Sequence, residues 1–408
     1  MEFRPGRVIG ILVGAVLILG VGVYGPVTLL APLPAVEATV LTPESAASTA
    51  APPVLPADGA SAIVADDADA PLATAGIADP VPIAGVAKVI AALVTIDARP
   101  IEVGRTGETL TIGIPDFADY IDYTNDGART VPVFQGEKWT EREMLQAVLL
   151  GSSNNHADTL VRWAFGSVDE YVTAANAWLA ENGLTGTHVV DATGLSGDSV
   201  GTASDAARIA AMITTQPTLH EILTNPATTL VNSRGVDNTT DYFADQGVVG
   251  ISRSFTDPAG VCFLFTTTVG TGADAVVIAG AFLRQPDYDT LTAGLTAFVA
   301  SAAAGAAPVP VIPSGQAYAR FRAPWGAEGD GVTGVALTRS PWGAGLESLA
   351  VDVEEFSTEA EGSLVGHVRL SGGASVPLKL SSAIRDPGLG WRLLHPIPMI
   401  ESLIASQR

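Results

Sequence analysis

From Val8 to Leu33 the chain carries no charged residue: VIGILVGAVLILGVGVYGPVTLLAPL. This run constrains the fold most, because about 20 consecutive apolar residues suffice for one helix to cross a bilayer. Arg4 and Arg7 precede it, and no Lys or Arg follows until Lys88. That asymmetry puts the N-terminus in the cytoplasm and residues 34–408 outside. A cleavable signal peptide is the alternative, with small residues between Ala31 and Ala38 to serve as a cleavage site. The run exceeds a usual signal core of roughly 7–15 residues, which favours an uncleaved anchor on the cell membrane.

The remaining length, out of 408 residues, leaves room for two or three domains with full cores. Hydrophobic residues make up 47% and aromatics 6%, so that core is aliphatic and alanine-rich. A formal net charge of −22 excludes a nucleic-acid-binding role, which needs a basic footprint. It also excludes adhesion to anionic headgroups through charge. The single cysteine, Cys262, rules out an internal disulfide and lies in the apolar run Val261-Cys262-Phe263-Leu264-Phe265, where a buried small hydrophobe is expected. Five scattered histidines show no metal-ligand spacing, so neither metal nor cofactor is expected.

Residues 34–80 are rich in Ala, Pro, Ser, Thr and Asp, lack apolar periodicity and contain no basic residue. Such composition predicts a disordered, extended spacer, with Asp58, Asp66, Asp67, Asp69 and Asp79 repelling an anionic surface. From 81 to 305 the pattern is mixed helix and strand. Thr140-Glu141-Arg142-Glu143 reads as a capping box opening a helix, and 168–182, 203–214 and 288–304 also read as helices. Residues 247–256, 261–269 and 275–283 read as consecutive strands, the last two joined by a Gly-rich turn at 270–273. After Pro308, Pro310 and Pro313, residues 314–408 turn strand-like, predicting a small β domain around 351–353, 364–370 and 376–380.

Within the mixed region, Ala84-Gly85-Val86-Ala87-Lys88-Val89-Ile90-Ala91-Ala92-Leu93 reads as the start of a buried helix. Gly85 and Lys88 stand three apart and share a helix face. A serine at 85 would be a nucleophile beside its base, but glycine offers no hydroxyl. Lys88 on an apolar face would be desolvated, which suits a base and equally suits a structural lysine bonded to a carbonyl or to Asn155. Further on, Leu149-Leu150-Gly151-Ser152-Ser153-Asn154-Asn155-His156-Ala157 is a polar turn before a helix. It could hold a peptide through Ser153 and Asn155, or simply cap the helix with Asn154 or Asn155. Gly250-Ile251-Ser252-Arg253-Ser254-Phe255-Thr256-Asp257 lies on a strand, where alternation turns Arg253 to the face opposite Ser252 and Ser254, predicting a solvent-facing arginine.

Taken in order, these three segments resemble the D-alanyl-D-alanine carboxypeptidases, low-molecular-mass penicillin-binding proteins with a β-lactamase-like fold. The first resembles the family's Ser-x-x-Lys helix except at Gly85. The second resembles its Ser-x-Asn loop, with Ser153 and Asn155 in the motif positions, and the third its Lys-Thr-Gly strand, read here as Ser252-Arg253-Ser254. Asp191-Ala192-Thr193-Gly194-Leu195 and Thr202-Ala203-Ser204-Asp205-Ala206 are similar to family segments that carry fold. The C-terminal Gly390-Trp391-Arg392-Leu393-Leu394-His395-Pro396 resembles appended domains of actinobacterial relatives. The resemblance implies an α+β domain over 81–305 with mixed helix and antiparallel sheet, and a serine peptidase acting on peptidoglycan stem peptides. In such a site the lysine manages the nucleophile's proton, the Ser-x-Asn residues relay protons and hold the amide, and the Lys-Thr-Gly strand binds the terminal carboxylate.

Removing a serine nucleophile costs on the order of 10⁶-fold in rate in a serine hydrolase, and neighbouring groups do not compensate. The expectation is therefore a degenerate site of Lys88, Ser153 and Asn155, with Ser252, Arg253 and Ser254 where substrate would lie. The protein would bind a stem peptide or an envelope protein without hydrolysis. Two alternatives stand beside it. One is an active carboxypeptidase using Ser152 or Ser153 as a relocated nucleophile. The other is a structural scaffold that binds a protein partner and no peptide.

Overall fold

The computed structural model describes residues 5–41, 52–65, 68, 70–224, 235–272, 275–342 and 348–407. It contains two compact units. One holds Met1–Ser48, Val309–Arg339 and Gly345–Arg408; the other holds Thr49–Pro308 and Ser340–Ala344.

In the second unit five strands form an antiparallel sheet, ordered Ala73–Gly76, Ala60–Ala65, Val276–Gln285, Gly260–Val269 and Val248–Thr256. The alternation of the central strands sorts their side chains into two cores. Cys262, Leu264 and Ala281 face a core shared with the helices Val86–Ala98, Glu141–Leu149, Asn154–Phe165 and Ala203–Thr215. Phe263, Phe265 and Phe282 face the other, closed by Leu291, Leu295 and Phe298 of the helix Tyr288–Gly305. Burial pushes the Cys262 thiol up to about 12, so it behaves there as a small apolar group.

The expected spacer is corrected. Ala60–Ala65 is an interior strand, buried at all six positions, and Ala73–Gly76 is an edge of the same sheet. A strand covered on both faces shows no alternation, and this one is short, alanine-rich and followed closely by acids. Glu37–Val40 is likewise a strand, pairing with Ala317–Arg322 in the first unit. Asp66, Asp67 and Asp69 lie outside the described residues, as does position 273 of the expected turn.

The capping box at Thr140 forms as the sequence predicts. Its hydroxyl accepts from Glu143 N at 3.3 Å, while its own N–H donates to the Glu143 carboxylate at 2.8 Å. The first unit begins with helical turns from Pro5 to Leu30, including a π-helical stretch Ile18–Tyr24. Ile9–Leu30 has a mean hydropathy of 2.1, long and apolar enough for a membrane span; a signal sequence has the same properties. The unit's six-stranded antiparallel sheet runs Glu37–Val40, Ala317–Arg322, Glu328–Thr333, Ser375–Leu380, Leu364–Leu370, Leu349–Val353. Residues 389–405, read above as part of a β-like tail, are instead two helices, Leu389–Leu394 and Pro396–Ala405.

Candidate active site

Gly85 is the N-cap of the helix Val86–Ala98, with no side-chain cap of its own, and eleven of the thirteen helical residues are buried. The turn into it is tight. Ala84 has φ +44°, a left-handed conformation that a residue with a Cβ adopts only at a cost. Beneath it runs the Asp191–Leu195 loop. A Cβ at Gly194 would lie 1.7 Å from the Ala84 carbonyl oxygen, so this crossing requires glycine. The Asp191 carboxylate fixes that loop, accepting from Thr193 Oγ1 at 2.6 Å, Leu195 N at 3.0 Å and Ser199 Oγ at 2.5 Å. The loop thereby presents the Thr193 carbonyl to Lys88, whose Nζ donates to it at 2.7 Å.

Lys88 is 5% exposed. Desolvation pulls its ammonium down to about 8 from the ordinary 10.5; Arg129 adds to the shift, and Asp191 and Asp158 oppose it. Asp158 is itself raised to about 6 by burial, against the hydrogen bond it accepts from Tyr123 at 2.6 Å. Burial thus makes the Lys88 ammonium easier to deprotonate than a solvated lysine and the Asp158 carboxylate easier to protonate than a solvated one.

The polar loop behaves differently from expectation. Ser153, not Asn154 or Asn155, caps the helix Asn154–Phe165. Its hydroxyl donates to Asn155 Oδ1 at 2.8 Å and accepts from Val131 N at 3.1 Å; it also lies 2.9 Å from His156 Nδ1. Asn155 clasps the same backbone, accepting from Val131 N at 3.2 Å and donating to Val131 O at 3.1 Å. Both residues are fully buried and hold a neighbouring segment. Ser152 is the residue of this loop that lines the crevice with Lys88. Its φ of +50° makes it, like Ala84, one of three non-glycine residues in left-handed backbone among the described residues. Strain of this kind clusters at functional sites. Asn154 donates from Nδ2 to Arg129 O at 3.0 Å and leaves its buried Oδ1 unpartnered among the described residues. The Ser-Ser-Asn-Asn sequence admits two Ser-x-Asn registers. In the structure Ser153 and Asn155 are spent on the Val131 backbone, and Ser152 is the serine that shares the crevice with Lys88.

The edge strand Val248–Thr256 closes the crevice. Ser252 and Ser254 point toward the helix start; Ser254 Oγ accepts from Gly85 N at 2.9 Å. A Cβ placed on Gly85 would come within 2.9 Å of both Ser254 Cβ and Oγ, and 3.1 Å of Ser252 Oγ. The room a residue-85 side chain would need is thus filled from the strand. Gly85, Lys88, Val148, Ser152, Ile251 and Ser252 face a gap too narrow to admit a water molecule. Arg253 takes the opposite face, as alternation predicts, but it is not solvent-facing. Its Nε donates to Thr239 O at 2.9 Å, and its guanidinium lies 4.9 Å from the Tyr242 ring centre and 5.8 Å from that of Tyr288. Two aromatic rings and a carbonyl hold the cation there. Among the described residues no cluster of His, Cys, Asp and Glu could hold a metal ion.

Residues 46–282, more than half of the chain, match the D-alanyl-D-alanine carboxypeptidase family, and the chain belongs to it. A D-alanyl-D-alanine endopeptidase of Pseudomonas aeruginosa is 27% identical over 220 residues, covering 52% of this chain and 67% of the relative. The fold is similar to that of a peptidoglycan synthesis regulatory factor (PBP3) from Streptococcus pneumoniae, with TM-score 0.55 and 22% identity, covering 80% of this chain and 99% of that one. It is similar to the same degree, TM-score 0.55, to penicillin binding protein 5 from Haemophilus influenzae, at 17% identity over 82% of this chain and 99% of that one.

Proposed function

We propose that this chain is an envelope member of the carboxypeptidase family that has lost hydrolysis and acts by binding. The folded units stand outside the cytoplasmic membrane on the helix Ile9–Leu30, and the partner is peptidoglycan peptide or an envelope protein. The observation that carries this reading is the Gly85–Ser254 contact. It removes the nucleophile, fills its space and engages the Gly85 N–H. A helix-N-terminal N–H of this kind is what an acyl-transfer site aims at the developing oxyanion. With that donor satisfied and the crevice closed, contact with wall components falls to the outer surface of the units.

The enzymatic alternative has one specific observation in its favour: Ser152 shares the crevice with Lys88. A nucleophile must also come within about 3–3.5 Å of an aligned carbonyl, and the gap leaves a substrate no place to lie.

Full-length protein incubated with a pentapeptide ending in D-Ala-D-Ala should release no D-alanine above a blank, while sedimenting with purified sacculi. Release that Ser152→Ala abolishes would establish the enzymatic alternative. Neither release nor sedimentation would leave the protein-partner reading.

A further inference from the structure

The helix Val86–Ala98 has Gly85 and Lys88 at its start and a different constellation at its end. Leu93, Ile96 and Asp97 stand at i, i+3 and i+4, so they share one face of its last turns. The helix Val168–Glu181 brings Trp178 and, four residues on, its C-cap Asn182. By the same spacing the helix Ala203–Thr215 brings Met212 and its C-cap Gln216. These side chains line one groove of about 400 Å³, within the size range of small-molecule sites, about 300–1,000 Å³.

The groove is apolar at its base and negative at its rim. Leu93 and Ile96 are buried and Met212 is half-buried. Asp97 is exposed, and among the described residues its carboxylate makes no hydrogen bond or ion pair. The half-buried Trp178 ring pairs with no other ring and no cation among the described residues. All three helices end here, and none has a basic residue in its last turn. A helix C-terminus carries roughly half a negative charge, which such residues ordinarily offset. The nearby arginines are engaged outside the groove. Arg208 donates to Asn182 O and Gly183 O, each at 3.1 Å, and so meets the end of the middle helix. Arg99 lies 5.2 Å from the Trp163 ring centre and 3.8 Å from Glu108.

We infer that this groove binds a primary alkylammonium group, the side chain of a lysine-type residue presented by a peptide partner. The ammonium lies between the Asp97 carboxylate and the Trp178 face, where an ion pair and a cation–π contact act together. Its methylene stem covers Leu93, Ile96 and Met212, taking apolar surface out of water. An anion would face Asp97 and uncompensated helix carbonyls, so the groove rejects it. The net charge of −22 attracts cations to the whole surface, and the apolar base with its open ring is what makes this place selective. Asp97 stands nine residues beyond Lys88, about 13 Å further along the same helix, so the groove is separate from the closed crevice.

The test uses the full chain in a nonionic detergent, isotope-labelled at the tryptophan indole nitrogens. Trp178→Phe identifies the Trp178 signal by its loss. Nα-acetyl-lysine methylamide should move that signal, saturating in the millimolar range, and leave the signal of the buried Trp139 in place. Nα-acetyl-norleucine methylamide keeps the stem without the charge and should bind about tenfold more weakly. Asp97→Asn should weaken the lysine probe about threefold. Asp97→Lys sets an ammonium of the protein's own in the groove and should abolish the shift. Asp97 is exposed, so both variants should fold, and unchanged signals from the other tryptophans check that they do. No Trp178 shift with the lysine probe, an equal affinity for the norleucine probe, or undiminished binding by Asp97→Lys would each overturn the site. None of these readouts passes through hydrolysis or acylation, so the closed crevice stands or falls separately.

Discussion

Gly85→Ser alone should destabilise the Thr49–Pro308 unit, although serine is what the family places in front of such a lysine. The new Cβ meets Ser254 Cβ and Oγ at 2.9 Å, and the strand that carries them is buried on the side facing the helix. Forcing a side chain into a filled core costs typically 1–3 kcal/mol, roughly 2–4 °C per kcal/mol in a unit of this size. Ser254→Gly alone also costs about 1–3 kcal/mol, because it strips the buried Gly85 N–H of its acceptor. The pair together should cost less than the sum by at least about 1 kcal/mol, since glycine at 254 clears the space that serine at 85 needs. A double-mutant cycle read by thermal unfolding decides it. Additivity within about 0.5 kcal/mol would mean that the two positions do not exclude each other. Restoring Ser at 85 with Lys-Thr-Gly at 252–254 should then give slow acylation by penicillin, which Gly85→Ser by itself should not.

The second large effect belongs to Lys88. Its folded-state pKa, about 8, lies below the 10.5 of an exposed lysine. Between these values the unfolded chain binds the proton more readily than the folded one, so stability rises with pH across that window. Below 8 the ammonium is present in both states and its burial penalty, on the order of 3 kcal/mol, is felt in full. Lys88→Met keeps the side-chain bulk and removes that titration. It also leaves the Thr193 carbonyl without the bond at 2.7 Å, a loss of about 1–3 kcal/mol. The two terms oppose each other at neutral pH, so the diagnostic quantity is the difference between variant and parent. That difference should shift in the parent's favour by on the order of 3 kcal/mol between pH 7.5 and 10.5, measured by denaturant unfolding. Parallel profiles would show that Lys88 titrates as an ordinary surface lysine.

Much of this arrangement was legible in the sequence, and the misses have physical causes. The helix at Val86, the capping box at Thr140 and the strands 248–256, 260–269 and 276–285 follow from periodicity and capping chemistry, which are local. The strand Ala60–Ala65 was hidden because burial on both faces erases alternation, and alanine has little strand preference. Ser152 entered the sequence reading only as an alternative nucleophile, with Ser153 in the motif position, because Ser-Ser-Asn-Asn satisfies the same pattern in two registers; the crevice lining and the φ of +50° at Ser152 distinguish the two serines. Arg253 has the predicted face but not the predicted solvent, because Tyr242 and Tyr288, both outside the strand whose alternation was read, fold over it. The contact between Gly85 and Ser254 spans 169 residues, so the sequence showed two unrelated departures where the structure shows one fitted pair.

The central claim is that this fitted pair has ended acyl transfer. Penicillin reports on it directly, since acylation needs a nucleophile, a base and an oxyanion donor together but no particular peptide. Full-length protein in detergent, incubated with excess labelled penicillin and read by intact mass, should show the unmodified mass alone. A covalent adduct of one penicillin per chain, mapped to Ser152 or to any other serine of the crevice, would contradict it.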